Sequence, residues 1–282
     1  MTEIFTPLGN NYPGVKVLLM GPAGTGKTHA LTTLADAGLD TFVLFLESGV
    51  ETLPLAYTRQ NRPVPANLYW HSMAIKQVGF AGMIENATRI NTMTQDTLAK
   101  IQDPNRGQHN DFVRLLTALN DFPDDRKGGT YGCVDQWDTN RVLCIDGLTG
   151  LSDYCLRLVV GGKPMKSQSD WGMAQGQLIT LLRQLTSGCK CHVVLIAHVE
   201  REVDAVLGGV KLMPSALGKA TPPLIPPMFS DVILTVREGD KFSWDTASAM
   251  ADVKTRNLPI KAGQAPSFGP ILASWRKGAE AV

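Results

Sequence analysis

Eight consecutive residues, Gly21-Pro22-Ala23-Gly24-Thr25-Gly26-Lys27-Thr28, restrict the folds open to this chain more than any other stretch of it. They fit G-x-x-x-x-G-K-[ST] at every fixed position, and His29 follows directly. An apolar run, Val15 to Met20, leads into the loop, and a helical pattern, Thr28 to Ala37, leads out of it to a stop at Gly38. Glycines let the backbone curl so that successive N–H groups face phosphate oxygens. A helix beginning near Lys27 adds its positive end to the same place. Residues 21 to 29 are therefore expected to grip the phosphates of a nucleotide, ATP first among them. Lys27 is expected to bridge the β- and γ-phosphates, and the Thr28 hydroxyl to ligate Mg²⁺. A chance glycine-rich turn would not bring strand, loop, lysine and helix into one register.

A strand–loop–helix of this kind calls for a parallel sheet covered on both faces, and the chain supplies its strands as continuous apolar runs. Thr41 to Leu46, Leu68 to Met73, Arg141 to Ile145, His192 to Ala197 and Val232 to Val236 all read as strands, with Ala251 to Lys254 as a further candidate. Helical spacing marks Phe112, Leu115, Leu116 and Leu119, and again Trp171 to Thr186. Asp124 to Asn140 reads as a loop or short hairpin. Val203 to Pro227, with Gly208-Gly209 and its prolines, reads as a mobile loop. The expected class is α/β, a mostly parallel twisted sheet with helices on both faces. Residues 1–282 are expected to form one nucleotide-binding domain, with a helical insertion at about 48–140 and a Pro/Gly-rich tail at about 258–282.

Three residues at strand ends extend the site. Val142-Leu143-Cys144-Ile145-Asp146 is an apolar strand closed by an acid, the Walker B arrangement. Asp146 as a cap of the following helix is the alternative; an established phosphate loop favours the metal role. Glu47 ends the Thr41 to Leu46 run, at the edge where ligands bind in open α/β sheets. It can accept a proton from attacking water, or be a solvated loop acid. His198 follows Val193 to Ala197, where a polar side chain either contacts the γ-phosphate or plays a structural part.

Composition bounds the remainder. The 282 residues carry a net charge of +1, so any nucleic-acid contact requires locally concentrated basic residues. The five cysteines are odd in number, and Cys189-Lys190-Cys191 has no matching second pair, so reduced thiols are expected rather than disulfides or zinc. No apolar run reaches the ~18 residues a bilayer crossing needs, and Met1 to Asn10 lacks a secretory layout. No membrane partner and a cytoplasmic location are the expectations.

The order of these features resembles the RecA-like recombinase core, and in particular the short RecA-like ATPases of bacteriophages, some of them single-strand annealing proteins. The resemblance spans about Val15 to Pro259. It implies that Glu47 is the catalytic acid after the second strand, that Asp146 is at the metal position, and that His198 stands where the family's phosphate sensor is typically glutamine. Two flexible loops lining a single-stranded DNA channel would match Gly161 to Ser169, ahead of Trp171-Gly172-Met173-Ala174, and Arg201 to Pro227. The DNA candidates are then Lys163, Lys166 and Trp171 in and beyond the first, and Arg201, Lys211 and Lys219 in the second. Val253-Lys254-Thr255-Arg256 resembles the segment whose basic residues reach a neighbouring subunit's nucleotide, which makes Lys254 and Arg256 trans fingers.

This resemblance implies a Mg²⁺-dependent ATPase that binds single-stranded DNA in phage recombination, annealing or replication. It implies homo-oligomeric rings or filaments, phage or host replication and recombination proteins as partners, and the host cytoplasm as location. Only Met1 to Gly14 precede the first strand, and no DNA-gathering domain fits after Lys254, so the chain reads as the core alone. A nucleotide-dependent interaction or loader module acting on a protein partner is the second reading. An AAA+-type motor subunit ranks lower, because the Pro-rich stretch from Leu258 to Pro270 does not read as a helical lid.

Overall fold

Apolar runs become strands and the amphipathic stretches between them become their cover. The computed structural model describes residues 12–73, 79–100, 109–163, 166–203 and 208–281. In chain order the strands are β1 (Lys16–Met20), β2 (Asp40–Phe45), β3 (Leu68–Ser72), β4 (Arg141–Asp146), β5 (His192–Ala197), β6 (Val199–Val203), β7 (Val210–Pro214), β8 (Asp231–Glu238) and β9 (Lys241–Asp245). The helices are α1 (Lys27–Ala30), α2 (Thr32–Asp36), α3 (Thr52–Thr58), α4 (Phe80–Asn91), α5 (Gln95–Lys100), α6 (Asp111–Asn120), α7 (Leu148–Val160), α8 (Gln168–Arg183) and α9 (Gly269–Glu280).

A seven-stranded sheet runs in the order β3-β2-β4-β5-β1-β8-β9. Its neighbours are parallel except for β8 and β9, which form an antiparallel pair. Period-two alternation divides each strand between two cores. Leu18, Met20, Leu44, Leu143, Ile145 and Leu195 pack under α6, α7 and α8. Val17, Leu19, Val43, Cys144, Ile196 and Ile233 pack under α1, α2, α3 and α9. Burial on both faces is why these strands are apolar without a break. The result is α/β, mostly parallel, with helices on both faces. The strands that lead to the phosphate loop, Glu47, Asp146 and His198 (β1, β2, β4 and β5) run parallel and end on one edge.

Several local expectations change. The helix expected over Thr28 to Ala37 divides at Leu31 into α1 and α2. The stretch read as a mobile loop, Val203 to Pro227, largely folds: β6 and β7 pair as an antiparallel hairpin, with short 3-10 turns at Pro222–Leu224 and Pro226–Met228. Ala251 to Lys254 contributes only isolated bridges, Leu212 to Ala251 and Val232 to Lys254. The stretch at about 48–140 is helical in α3 to α6 but also gives the sheet its edge strand β3. The tail after Leu258 holds α9, whose Ile271, Leu272 and Trp275 bury against the sheet. The five cysteines are free thiols. Among the described residues no helix is long and apolar enough to cross a membrane.

Candidate nucleotide site

The phosphate-loop geometry depends on glycine at defined places. Gly24 and Gly26 have φ of 73° and 82°, a left-handed backbone that side chains disfavour. Gly21 is required for space: a Cβ there would lie 2.1 Å from Thr235 Oγ1 and 2.7 Å from the Thr235 carbonyl oxygen. Thr25 Oγ1 donates to Pro22 O at 2.8 Å and lies 2.6 Å from Thr235 Oγ1, which fastens the loop to β8. Gly21 N–H donates to Ala197 O at 3.1 Å, which fastens it to β5 on the other side.

Lys27 folds over this loop. Its Nζ donates to Gly21 O at 2.8 Å and to Pro22 O at 2.7 Å. Burial lowers its pKa to about 8, against the raising influence of Asp146 and Glu47, so the ammonium is charged at neutral pH. Thr28 Oγ1 donates to Asp146 Oδ2 at 2.7 Å across the gap between β1 and β4. Burial pushes Asp146 up to about 6; the Thr28 hydrogen bond and Lys27 pull it down, and Glu47 pushes it up. His29, on α1, is exposed.

Glu47 follows β2, and parallel pairing sets that edge beside Asp146, whose Cα partner on β2 is Phe45. Glu47 Oε1 accepts the Gly150 N–H at 3.2 Å. Gly147 has φ 123°, and a Cβ on it would lie 2.9 Å from Glu47 Oε1, so a larger residue would displace the acid. His198 follows β5, its Nε2 3.9 Å from Glu47 Oε2. Burial, then the charge of Lys27, lowers the imidazole pKa against the opposing influence of Glu47. A neutral ring thus faces the carboxylate beyond hydrogen-bond reach. Lys27, Thr28, Asp146, Glu47 and His198 therefore share one sheet edge, although Lys27 and His198 are far apart in the chain.

The same edge excludes Lys254 and Arg256. Asp231, the first residue of β8, accepts from Thr255 Oγ1, from the Arg256 and Asn257 N–H groups and from Asn257 Nδ2. This holds the 254–257 turn at the opposite end of the strands from the phosphate loop. Lys254 Nζ donates to Pro227 O at 3.0 Å. Arg256 lines, with Tyr12, Lys16 and Trp275, a cavity of about 530 Å³. Within one chain neither residue belongs to the phosphate site.

The six basic and aromatic DNA candidates are not alike. Lys163 pairs with Asp170 at 3.0 Å, within the Ser167–Asp170 capping box that starts α8. Lys166 lies over the Trp171 ring at 5.5 Å, and Trp171 packs against the core. Arg201 and Lys211 are on the β6–β7 hairpin, Lys211 paired with Asp252 at 2.7 Å. Lys219 is exposed. Residues 164–165 and 204–207, inside the two expected loops, lie outside the described residues.

Sequence reasoning missed Thr235, the lock behind Gly21, and the pair Gly147 and Gly150 that shapes the Glu47 pocket. Nothing in the sequence marks Thr235. The glycine spacing after Asp146 was a usable signal.

Magnesium fits the donors present. The Thr28 hydroxyl and Asp146 carboxylate are hard oxygens in contact, and no cluster of three or more His, Cys, Asp or Glu suited to a metal occurs among the described residues. An ion that takes one or two protein oxygens and completes its shell with phosphate oxygens and water suits such a pair.

Fold and site together define a P-loop ATPase domain of the α/β kind. The chain belongs to the AAA domain family, whose profile matches residues 13–258. The crystal structure of the flagellar accessory protein FlaH from Methanocaldococcus jannaschii is similar at 10% sequence identity, over 84% of this chain and 79% of that one, with a TM-score of 0.32. No curated protein matches the sequence. The Pro-rich stretch from Leu258 leads into one helix, α9, which packs on the sheet.

Proposed function

We propose that the protein is a Mg²⁺-dependent ATPase whose nucleotide state governs its grip on single-stranded DNA, in phage recombination, annealing or replication. The supporting observation is the convergence of Lys27, Thr28, Asp146, Glu47 and His198 on one edge of the sheet. Backbone amides of residues 23–28 hold the phosphates, and the Lys27 ammonium turns from its two carbonyl partners to the β- and γ-phosphates. Thr28 and Asp146 would hold magnesium, which when bound would neutralise phosphate charge. Glu47, held by the Gly150 N–H, orients water and takes its proton at a carboxylate oxygen. His198, neutral and beside Glu47, contacts the terminal phosphate. β6 begins at the next residue, and the His198 carbonyl accepts the Ser215 N–H at 2.8 Å, so the hairpin bearing Arg201 and Lys211 is attached directly to the sensor. Arg201 and Lys211 on this hairpin, with Lys219, Lys166 and Trp171, supply the phosphate and stacking contacts to DNA. Lys163 contributes through α8 capping.

Lys254 and Arg256, on the far edge, suit a head-to-tail homo-oligomer in which they meet the next subunit's phosphate loop. Phosphate release with and without a labelled oligonucleotide, across a salt titration of binding, tests the reading. ATP-stimulated binding that weakens with salt is expected. Hydrolysis without any oligonucleotide binding at low salt would remove the DNA half.

One observation favours a second reading, a nucleotide-dependent module for a protein partner. On α4, Phe80 is 83% and Ile84 67% exposed, and Met83 and Ile90 extend the same apolar stripe. Partner capture that persists without DNA would support it.

A further inference from the structure

The phosphate loop has a second side. Thr28 turns toward Asp146 on the β4 side, which assigns the metal and the terminal phosphates to that side. The opposite side of the loop faces the β8–β9 hairpin, where Arg237 and Phe242 are cross-strand partners. Phe242 packs on the loop itself: a Cβ on Gly26 would meet its Cδ1 at 3.2 Å and its Cε1 at 3.7 Å. Arg237 lies over the ring. Its Cζ lies 5.3 Å from the Phe242 ring centre, its Nε donates to Gly239 O at 2.8 Å, and its Nη1 would lie 3.9 Å from a Cβ on Gly24.

The exposure of the ring distinguishes it from the other aromatic residue of its strand. Trp244, two residues along β9, is 1% exposed and belongs to the core, whereas Phe242 is 42% exposed. A partly exposed hydrophobic ring next to a phosphate loop, with a guanidinium over it, has the properties of a stacking seat in which a flat heterocycle shares the ring with the cation.

We propose that Phe242 and Arg237 seat the nucleobase of the bound nucleotide, Phe242 as the stacking face and Arg237 as the cation beside base and α-phosphate. This rests on the nucleotide-binding reading of residues 21–28. The ligand class is a purine nucleoside triphosphate, because two fused rings cover more of the phenyl face than one. Stacking uses the π surface that all bases share, so adenine and guanine are held alike unless a further group reads their edges.

Calorimetric titration of the full chain at millimolar Mg²⁺, with ATP, GTP and inorganic tripolyphosphate, tests it. Phe242→Ala should weaken ATP and GTP by roughly 5- to 150-fold and leave tripolyphosphate within about twofold. Phe242→Leu, which keeps apolar packing on Gly26 but lacks a π face, should show the same selective loss, and Phe242→Trp should restore affinity. ATP affinity unchanged in both the Ala and Leu variants would overturn the proposal. So would an equal loss for ATP and tripolyphosphate, which would mean that Phe242 only braces the loop. If the parent binds tripolyphosphate but gains nothing from a base, the seat is refuted and the phosphate site stands. If it binds none of the three, both fall.

Discussion

Glu47→Gln separates chemistry from binding. Glutamine has the same shape, and its amide oxygen can keep the Gly150 N–H that Glu47 Oε1 accepts at 3.2 Å. The side chain is 36% exposed, so folding stability should change by less than about 0.5 kcal/mol. Only the negative charge is lost. That charge raises the pKa of Asp146, so without it Asp146 ionises more readily and the affinity for Mg²⁺·ATP should hold or improve. Turnover should fall ~10²- to 10⁴-fold, an increase of about 2.7–5.5 kcal/mol in the barrier, the usual worth of a positioned base. Phosphate release at saturating nucleotide reads the rate, calorimetry the affinity, and thermal melting the fold. Turnover within threefold of the parent, at unchanged affinity, would remove Glu47 from the reaction. A loss of affinity matching the loss of rate would show that the acid serves binding instead.

Four other outcomes are expected. Lys27→Met should abolish detectable nucleotide binding by calorimetry while the melting temperature stays at or above the parent's, because it removes a charge whose burial is unfavourable. Gly21→Ala should cost about 1–3 kcal/mol in urea unfolding and abolish hydrolysis, since its methyl group would enter the Thr235 hydroxyl and carbonyl; a parent-like melt would show that β8 can yield. His192 is buried, its Nδ1 accepts the Val15 N–H at 3.0 Å, and burial followed by the charge of Lys16 lowers its pKa to about 3. The unfolded ring takes up a proton near pH 6.5 and the native ring does not, so stability should decline as pH falls from 6.5 toward 3, by at most ~1.4 kcal/mol per pH unit; His192→Gln should flatten that slope in urea melts at pH 7, 6 and 5. Lys254→Ala with Arg256→Ala should lower hydrolysis at high protein concentration and leave the dilute rate unchanged, and a parent-like rate across the whole range would exclude sharing between subunits.

The parts of this chain that could be read in advance are those in which one physical requirement dictates residue type. A loop that curls around phosphates needs glycine and lysine at fixed steps, and a strand buried on both faces must be apolar throughout, so residues 21–28, Asp146 and the central strands were legible. Features with divided requirements were not. β9 is short, and its Phe242 and Trp244 face different surroundings, so no apolar run marks it. α9 carries Gly269, Pro270 and Gly278, which suggested an irregular tail. Proline in the first helical turn loses no hydrogen bond, however, and Ile271, Leu272, Trp275 and Ala279 form its buried stripe. Gly208-Gly209 suggested mobility across Val203 to Pro227, but the flanking residues pair as β6 and β7. The remote placement of Lys254 and Arg256 depends on the hydrogen bonds of Asp231, which no local pattern announces.

β8 carries at one station the threonine that secures the loop around Gly21 and, four residues earlier, the aspartate that gathers the turn of Lys254 and Arg256. Four strand steps span about 13 Å, and a paired strand does not stretch. The strand is thus a ruler that fixes how far the chain's phosphate-holding end stands from its basic end. Copies joined through those two ends would all point the same way, and a slack joint would have to come from the hairpins at the rim, since the centre of the sheet cannot provide one.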